Sequence, residues 1–496
     1  MSEHPFRVAV IGAGMSGLYM AEMLQRRRDV SFTVYEKAGE IGGTWRDNSY
    51  PGLFVDVLSR QYEFLFQPNY DWSRKYAPRA EIFDYMKRVA RSRGWYRHIR
   101  FNTEIAAAHF DAAAGKWELK TTAGETDIVD FFIVATGFLA KPVLPDIPGQ
   151  DSFAGKSFHS ARWDHSVPQD GTLRWGVIGA GCSGIQITEA LAWKNVNVTQ
   201  FVRRPQWIHI RENPQATWWE RLKLRLPGQY AKKQRALWDF IIEGDAWRLK
   251  PGPQREAMER EFRSYLDVIG DPELKQKLTP TYHLGCTRIP KSDQNYYVAV
   301  QRPNVTIESR KIARIVPDGV ALHDGTVVPL DVLVYATGFD THSYMRPMDV
   351  TGLNGVSIAD VWKDNVFSYG GVAVPGFPNM FLLYGPFAPL NNVPVPLGLE
   401  QEIGYILKLM DAAWERGAAV APSAAATERF RAKMRDAFPG TVWVGCKNWY
   451  SDTEGTPILW PLRQDEHKDF LAEPRLEDLE FVPPAAALRS TAGDRA

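Results

Sequence analysis

An α/β protein with two doubly wound, Rossmann-like domains and a helical insertion in the second is what this sequence predicts. Two internal duplications predict it. Arg7-Val-Ala-Val-Ile-Gly-Ala-Gly-Met-Ser-Gly17 and Arg174-Trp-Gly-Val-Ile-Gly-Ala-Gly-Cys-Ser-Gly184 share an apolar strand, a glycine turn and a helix start. Phe131-Phe-Ile-Val-Ala-Thr-Gly-Phe138 and Val332-Leu-Val-Tyr-Ala-Thr-Gly-Phe339 share an apolar strand that ends in Ala-Thr-Gly. A strand-turn-helix unit that recurs together with a distal strand marks two nucleotide-binding domains rather than one. The 496 residues leave room for them at roughly 150 residues per domain.

Composition narrows the class. Lys and Arg number 59 and Asp and Glu 58, a net charge of +1 that builds no strong field for nucleic acid or an anionic membrane. Hydrophobic residues at 45% and charged residues at 24% are those of an ordinary globular protein. The three cysteines, Cys182, Cys286 and Cys446, are too few for a disulfide framework and have no pairing logic, which points to a reducing cytosol. No CxxC, CxxxxC or Cys/His cluster occurs, so neither a metal site nor a redox dithiol of the disulfide-reductase kind is expected. The strand at Phe6 leaves no room for a signal peptide, and no apolar run approaches the ~20 residues of a spanning helix. A cytoplasmic enzyme is the expectation. Pro483 to Ala496, rich in Ala and Pro, reads as a loose tail.

The elements follow in chain order. In a strand-turn-helix unit the first glycine permits the tight turn and the second lets backbone approach a pyrophosphate. The third lets helix pack closely on strand. Gly12, Gly14 and Gly17 fill these places in the first unit, and Gly179, Gly181 and Gly184 in the second. The helix start then offers free N–H groups and a positive dipole end to the phosphates. Ser31 to Glu36 reads as the next strand, ending in a carboxylate able to accept from both ribose hydroxyls of an adenosine. Gly42-Gly43-Thr44-Trp45 adds close-approach glycines beside that nucleotide, and the first site is therefore expected to take FAD. Val196 to Arg204, the matching strand of the second unit, ends in Arg203 and Arg204. A guanidinium pair suits a 2′-phosphate through charge-assisted, bidentate contacts where a carboxylate would repel it, so the second site is expected to take NADP(H).

Gln215 to Lys277 carries Trp218, Leu222, Leu224, Trp238, Ile241 and Ile242 at helical spacing and reads as the insertion. Met380 to Tyr384 reads as a strand, and Asn391 and Asn392 precede a helix over about Leu397 to Met410 whose N-terminus can face a flavin carbonyl. These readings divide the chain into an FAD domain at 1–144 and 341–496, an NADP domain at 145–210 and 286–340, and a helical insertion at 211–285. Substrate belongs in the cleft between the domains.

Between the domains, Phe153-Ala-Gly-Lys-Ser-Phe-His-Ser-Ala-Arg-Trp-Asp164 matches the pattern FxGxxxHxxxW[PD]. With both glycine loops, Gly42-Gly-Thr-Trp45, Tyr50-Pro-Gly52 with Asp56, Gly285-Cys-Thr-Arg288, both Ala-Thr-Gly strands and Asn448-Trp-Tyr450, the chain resembles the Baeyer–Villiger monooxygenases almost throughout. These are class B flavoprotein monooxygenases. The resemblance implies an oxidoreductase in which NADPH reduces FAD, O2 adds to the flavin, and the peroxyflavin inserts one oxygen beside a ketone carbonyl to give an ester or lactone. It implies Arg288 as the active-site arginine, with Asp56 holding it. Trp449 becomes a mobile lid over substrate. Within the fingerprint, Phe153 anchors the linker and Gly155 lets it turn. His159 ties linker to domain through both ring nitrogens; the resemblance implies that His159 and Trp163 shape domain motion and cofactor handling rather than make or break bonds, and Asp164 ends the fingerprint.

The cofactor-binding set comprises the six loop glycines with Ser16, Glu36, Lys37, Gly43, Thr44, Trp45, Asp56, Tyr62, Ile105, Ser183, Gln186, Arg203, Arg204, Arg288 and Asn392. Two departures stand out. Thr287 occupies a position that is commonly lysine in the family, and Arg204 stands where threonine is frequent, so phosphate-binding charge is moved from one place to the other. Leu53-Phe54-Val55 is more apolar than the family's usual residues before the aspartate. The partners implied are a small ketone and O2, with no nucleic acid and no transmembrane segment. The alternative is an N- or S-oxygenating flavin monooxygenase of the same fold, against which the Trp163-Asp164 ending speaks. A non-catalytic scaffold is disfavoured by the retention of Asp56, Arg288 and both loops.

Overall fold

Strands that are apolar along their whole length, such as Phe131–Val134 and Val332–Tyr335, are stable only when helices cover both faces of a parallel sheet. Two such sheets form in this computed structural model, which describes residues 6–244, 246–388, 394–445, 448 and 450–485. The side chains of 238, 240–243 and 246 lie outside the description. Trp238, Ile241, Ile242, Asn391, Asn392, Cys446, Trp449 and the tail beyond 485 therefore fall outside it.

The first sheet runs in the order Met380–Leu382, Phe131–Val134, Phe6–Ile11, Val30–Tyr35, Ile99–Arg100. All its pairings are parallel, with Phe6 opposite Val30, Val8 opposite Phe131 and Met380 opposite Phe132. The second sheet runs Lys156–His159, Val332–Tyr335, Arg174–Ile178, Asn197–Phe201, Val305–Glu308. It is again parallel throughout, with Asn197 opposite Arg174 and Val332 opposite Trp175. Four strands of each sheet correspond in order, so the duplication extends to topology, while the outer strand beside the Ala-Thr-Gly strand comes late in the chain in the first sheet and before the glycine loop in the second. Each glycine turn and each Ala-Thr-Gly strand end thus meet at the carboxyl edge of a sheet, where ligands bind in doubly wound folds.

The adjacency explains the glycines. Gly12 and Gly179 have φ of +107° and +125°. A Cβ on Gly12 would sit 2.7 Å from the Ala135 carbonyl oxygen, and one on Gly179 would collide with the Ala336 carbonyl. Ala135 and Ala336 are the alanines of the two Ala-Thr-Gly segments, so the paired motifs are two sides of one contact.

Helices Met15–Gln25 and Cys182–Trp193 follow the loops. The insertion consists of helices Trp218–Leu224, Gln229–Gly244, Ala246–Leu249, Pro253–Ser264 and Pro272–Leu278. A two-stranded parallel ribbon, His209–Ile210 on Lys291–Ser292, joins its two ends. The helix Val395–Arg416 is longer at both ends than its sequence predicts, because its apolar face stays buried from Pro396 to Ala413. A mixed four-stranded sheet and an antiparallel three-stranded sheet complete the two lobes.

The largest core cluster joins the first sheet to insertion residues Trp247 and Phe262. Tyr50, from the first lobe, is buried in the core of the second with Trp163 and Trp175. No helix among the described residues is long and apolar enough to cross a membrane.

Candidate active site

The dinucleotide cradles come first. Helix Met15–Gln25 starts at Gly14 and helix Cys182–Trp193 at Gly181. Neither start has a side-chain cap or an acidic residue in its first turn. A helix start left this way keeps its N–H groups for an anion. A Cβ on Gly181 would meet nothing within 4 Å, and Gly14 faces the Cα of Gly43 across an otherwise open gap. Buried Thr136 Oγ1, in the first Ala-Thr-Gly, has no hydrogen-bond partner. Uncapped helix starts, space above bare glycines and an orphan hydroxyl fit an FAD pyrophosphate in the first loop and an NADP pyrophosphate in the second.

Glu36 ends its strand against the first loop. Its carboxylate accepts from Ala13 N and Ala38 N, both at 2.9 Å, and from Arg46 at 3.0 Å. Neighbouring Lys37 points to solvent, Ser16 is half-buried and Thr44 is exposed at the head of the short helix Thr44–Asp47. Trp45 Nε1 donates to the Tyr62 hydroxyl at 3.1 Å with the rings edge to face, one wall of the first lobe's cleft. Ile105 is buried in the core of the mixed sheet, two residues beyond Thr103, whose N–H bonds the Glu36 carbonyl.

In the second loop, Ser183 and Gln186 both bond the Tyr50 hydroxyl at 3.1 Å. Tyr50 therefore ties the first lobe to the phosphate-binding turn of the second. Arg203 and Arg204 are exposed at the end of their strand. The Arg204 guanidinium lies 5.0 Å above the Tyr282 ring, whose hydroxyl bonds Gln206 at 3.0 Å, while Thr287 donates to Gln206 at 2.8 Å. Thr287 and Arg204 thus belong to one polar cluster. Gln206 and Tyr282 carried no sequence signal.

Arg288 and Asp56 meet between the lobes. Arg288 Nε donates to Asp56 Oδ2 at 3.1 Å and Nη2 closes a second bond to the same oxygen. Burial favours the neutral acid at Asp56, but the charges of Arg288 and Lys291 win and hold its pKa below the usual carboxylate range. Asp56 in turn holds Arg288 well above the ordinary arginine value. About a third of each side chain stays exposed, 37% and 28%, so the pair lines a cleft open to a ligand.

Three further residues complete this centre, and the sequence reading missed them. Lys291 Nζ donates to the Asp56 main-chain carbonyl, and burial presses its pKa down to about 8. Cys182 and Tyr450 lie beside Arg288. Burial raises both, the Tyr450 phenol to about 12. Lys291 has no motif, and Cys182 is masked by the glycine loop it belongs to.

The fingerprint lies in the linker and its neighbouring core. His159 accepts from Ala161 N through Nδ1, and its Nε2 bonds the Gly338 carbonyl, both at 3.1 Å. A Cβ on Gly155 would collide with the Asp331 carbonyl, and Phe153 packs against the second lobe's core of Ile178, Phe201, Ile315 and Leu333. Trp163 is buried and stacks on Trp175 at 5.7 Å. Asp164 is held low by the Ser166 hydroxyl and amide in an exposed turn.

One expectation is overturned. The sequence offers no pairing logic for its cysteines, yet Cys286 is disulfide-bonded, while Cys182 is free. Tertiary packing explains the miss. A Cβ on Gly285 would lie 2.8 Å from Val442, so two segments remote in sequence run side by side.

Known proteins resemble this arrangement closely. The flavin-binding monooxygenase-like family model matches residues 6–226. An uncharacterized monooxygenase of Mycobacterium tuberculosis is 38% identical over 488 residues, covering 98% of this chain and 97% of its own. A Baeyer–Villiger monooxygenase of Streptomyces coelicolor is 35% identical over 500 residues, covering 98% and 96%. Among solved structures, OTEMO in complex with FAD and NADP aligns at a TM-score of 0.85 and 26% identity, over 97% of this chain and all of that one. This chain belongs to the flavin-binding monooxygenases of the Baeyer–Villiger type.

Proposed function

We propose that the protein converts a ketone to an ester or lactone, with FAD in the first lobe and NADP(H) in the second. The domain division at 144, 210, 285 and 340 goes with this reading, as does a cytoplasmic setting, where NADPH is supplied. The single observation that carries it is the Arg288–Asp56 pair, held between the two cradles and open to the cleft.

When bound, FAD reduced by NADPH supplies the electrons that activate O2. The chain's own residues do the rest. Arg288 pairs with the Asp56 carboxylate while Lys291 bonds the main-chain carbonyl of the same residue, so two cations stand against one carboxylate in a partly dry cleft. A fixed guanidinium stabilises negative charge where it develops, and its strength grows as water is excluded. Asp56 spends both Arg288 bonds on one oxygen, which sets the direction of the guanidinium plane. Arg203 and Arg204 would receive the 2′-phosphate, and Tyr50, bonded to Ser183 and Gln186, holds the second glycine loop against the first lobe.

The test offers the purified yellow enzyme NADPH, air and an equimolar mixture of a cyclic ketone and a thioether. The reading expects lactone as the main product. Sulfoxide with the ketone untouched would contradict it.

A further inference from the structure

The net charge of +1 conceals a local imbalance. From Thr217 to Arg235 the insertion holds six Lys or Arg residues against one acid, Glu220. The same stretch carries the most concentrated exposed apolar surface among the described residues. Trp218 and Trp219 are each 61% exposed, Leu226 54% and Leu222 44%, all within nine positions. The two indoles stack on each other with centroids 3.7 Å apart.

This face is a product of how the helix is held. Thr217 and Glu220 form a reciprocal capping box that starts helix Trp218–Leu224. Its inner side is occupied. Leu224 is buried, Arg221 reaches back to the Ala216 carbonyl, Arg225 pairs with Asp71 at 2.6 Å and Ala216 N bonds the Ser73 carbonyl. Trp218, Leu222 and Leu226, spaced by four, are left in one outward row, with Trp219 beside it. Lys223 on this helix and Lys232, Lys233 and Arg235 on the next, Gln229–Gly244, are exposed, and the Glu220 carboxyl, held low by Thr217, also feels the charge of Lys233.

We propose that this face docks the enzyme on an anionic lipid bilayer. Tryptophan, with an apolar body and one N–H, favours the lipid–water boundary, and leucines beside it enter the acyl layer. Surrounding lysines are drawn to anionic headgroups, whereas at protein–protein interfaces lysine is depleted. Membrane residence would bring the cleft to apolar ketones dissolved in lipid. The inference does not depend on which substrate the site takes.

The experiment sediments the FAD-loaded enzyme with phosphatidylcholine vesicles and with vesicles containing phosphatidylglycerol. Expected is pelleting with the anionic vesicles, weakened by added salt. The pelleted fraction should fall about tenfold in Trp218→Ala/Trp219→Ala and again in Lys232→Glu/Lys233→Glu. Both variants should remain yellow and turn over a water-soluble ketone at the parental rate. Three results would overturn the proposal: a holoenzyme that stays in the supernatant, variants that pellet like the parent, or a sedimentation-velocity dimer abolished by the tryptophan variant without any vesicle binding.

Discussion

Arg288 finds Asp56 across 232 positions of sequence, and no local pattern announces such a meeting. Read from the residues alone, the two were legible only as members of separate motifs; the family resemblance implied their contact, and the fold makes it. Lys291 was not legible at all, because a lysine three residues past an arginine has no signature until the ribbon with His209 turns it toward Asp56. Asp56→Asn keeps the shape but removes the charge that orients Arg288. Its kcat with ketone should fall about a hundredfold while flavin absorbance is retained, measured by ester formation. Lys291 gives a pH signature. Above about 8 it loses its proton and the cleft loses its surplus charge, so kcat should decline as pH rises through that value. Lys291→Arg, permanently charged, should carry the plateau to higher pH. A profile unchanged in that variant would exclude Lys291 as the titrating group.

Between elements, spacing told more about type than about surroundings. The strands, turns and helix starts of both nucleotide units were readable because periodicity and glycine positions are local. The insertion's helices were readable too, yet Trp218 and Trp219 could have been core or surface, since helical spacing is the same for both. Packing decided it: Leu224 took the interior and the indoles were left outside. The cradle ends carry a cofactor prediction. Arg204→Thr removes one guanidinium from the cluster of Tyr282, Gln206 and Thr287, and should lower kcat/KM for NADPH about tenfold with NADH little affected. An unchanged ratio of the two would place the 2′-phosphate elsewhere. The contact between lobes offers a second test. Gly52 has φ of +81°, and a Cβ there would stand 2.6 Å from the Gln186 carbonyl and 2.9 Å from Ala190. Gly52→Ala should therefore raise the KM for NADPH and lower Tm together, read by steady-state kinetics and thermal melting.

For the molecule as a whole, buried ionisable groups write the pH dependence of stability. Burial raises the carboxyls of Glu63, Glu189 and Glu402 to about 8 from the ordinary 4.5. Between those values the folded chain holds three protons that the unfolded chain releases, so stability falls as pH rises. His467 acts oppositely, because burial lowers it to about 4 and the unfolded imidazole alone takes a proton below 6.5. From pH 6.5 to 8 the carboxyls act without that opposition, and Tm of the holoenzyme should drop across this range. Glu402→Gln should flatten the drop. The two-lobed plan was visible in the sequence as a duplication, whereas the disulfide at Cys286 was not, being set by segments that only the folded core brings together.

The role of Arg288, fixed by Asp56, in ketone oxygenation is decided by supplying isotopically labelled O2 with NADPH and a cyclic ketone to the parent enzyme and to Arg288→Met. One labelled oxygen is expected in the lactone ring from the parent, and from the variant continued NADPH oxidation with lactone reduced about a hundredfold or more. Labelled lactone formed by the variant at the parental rate would contradict it.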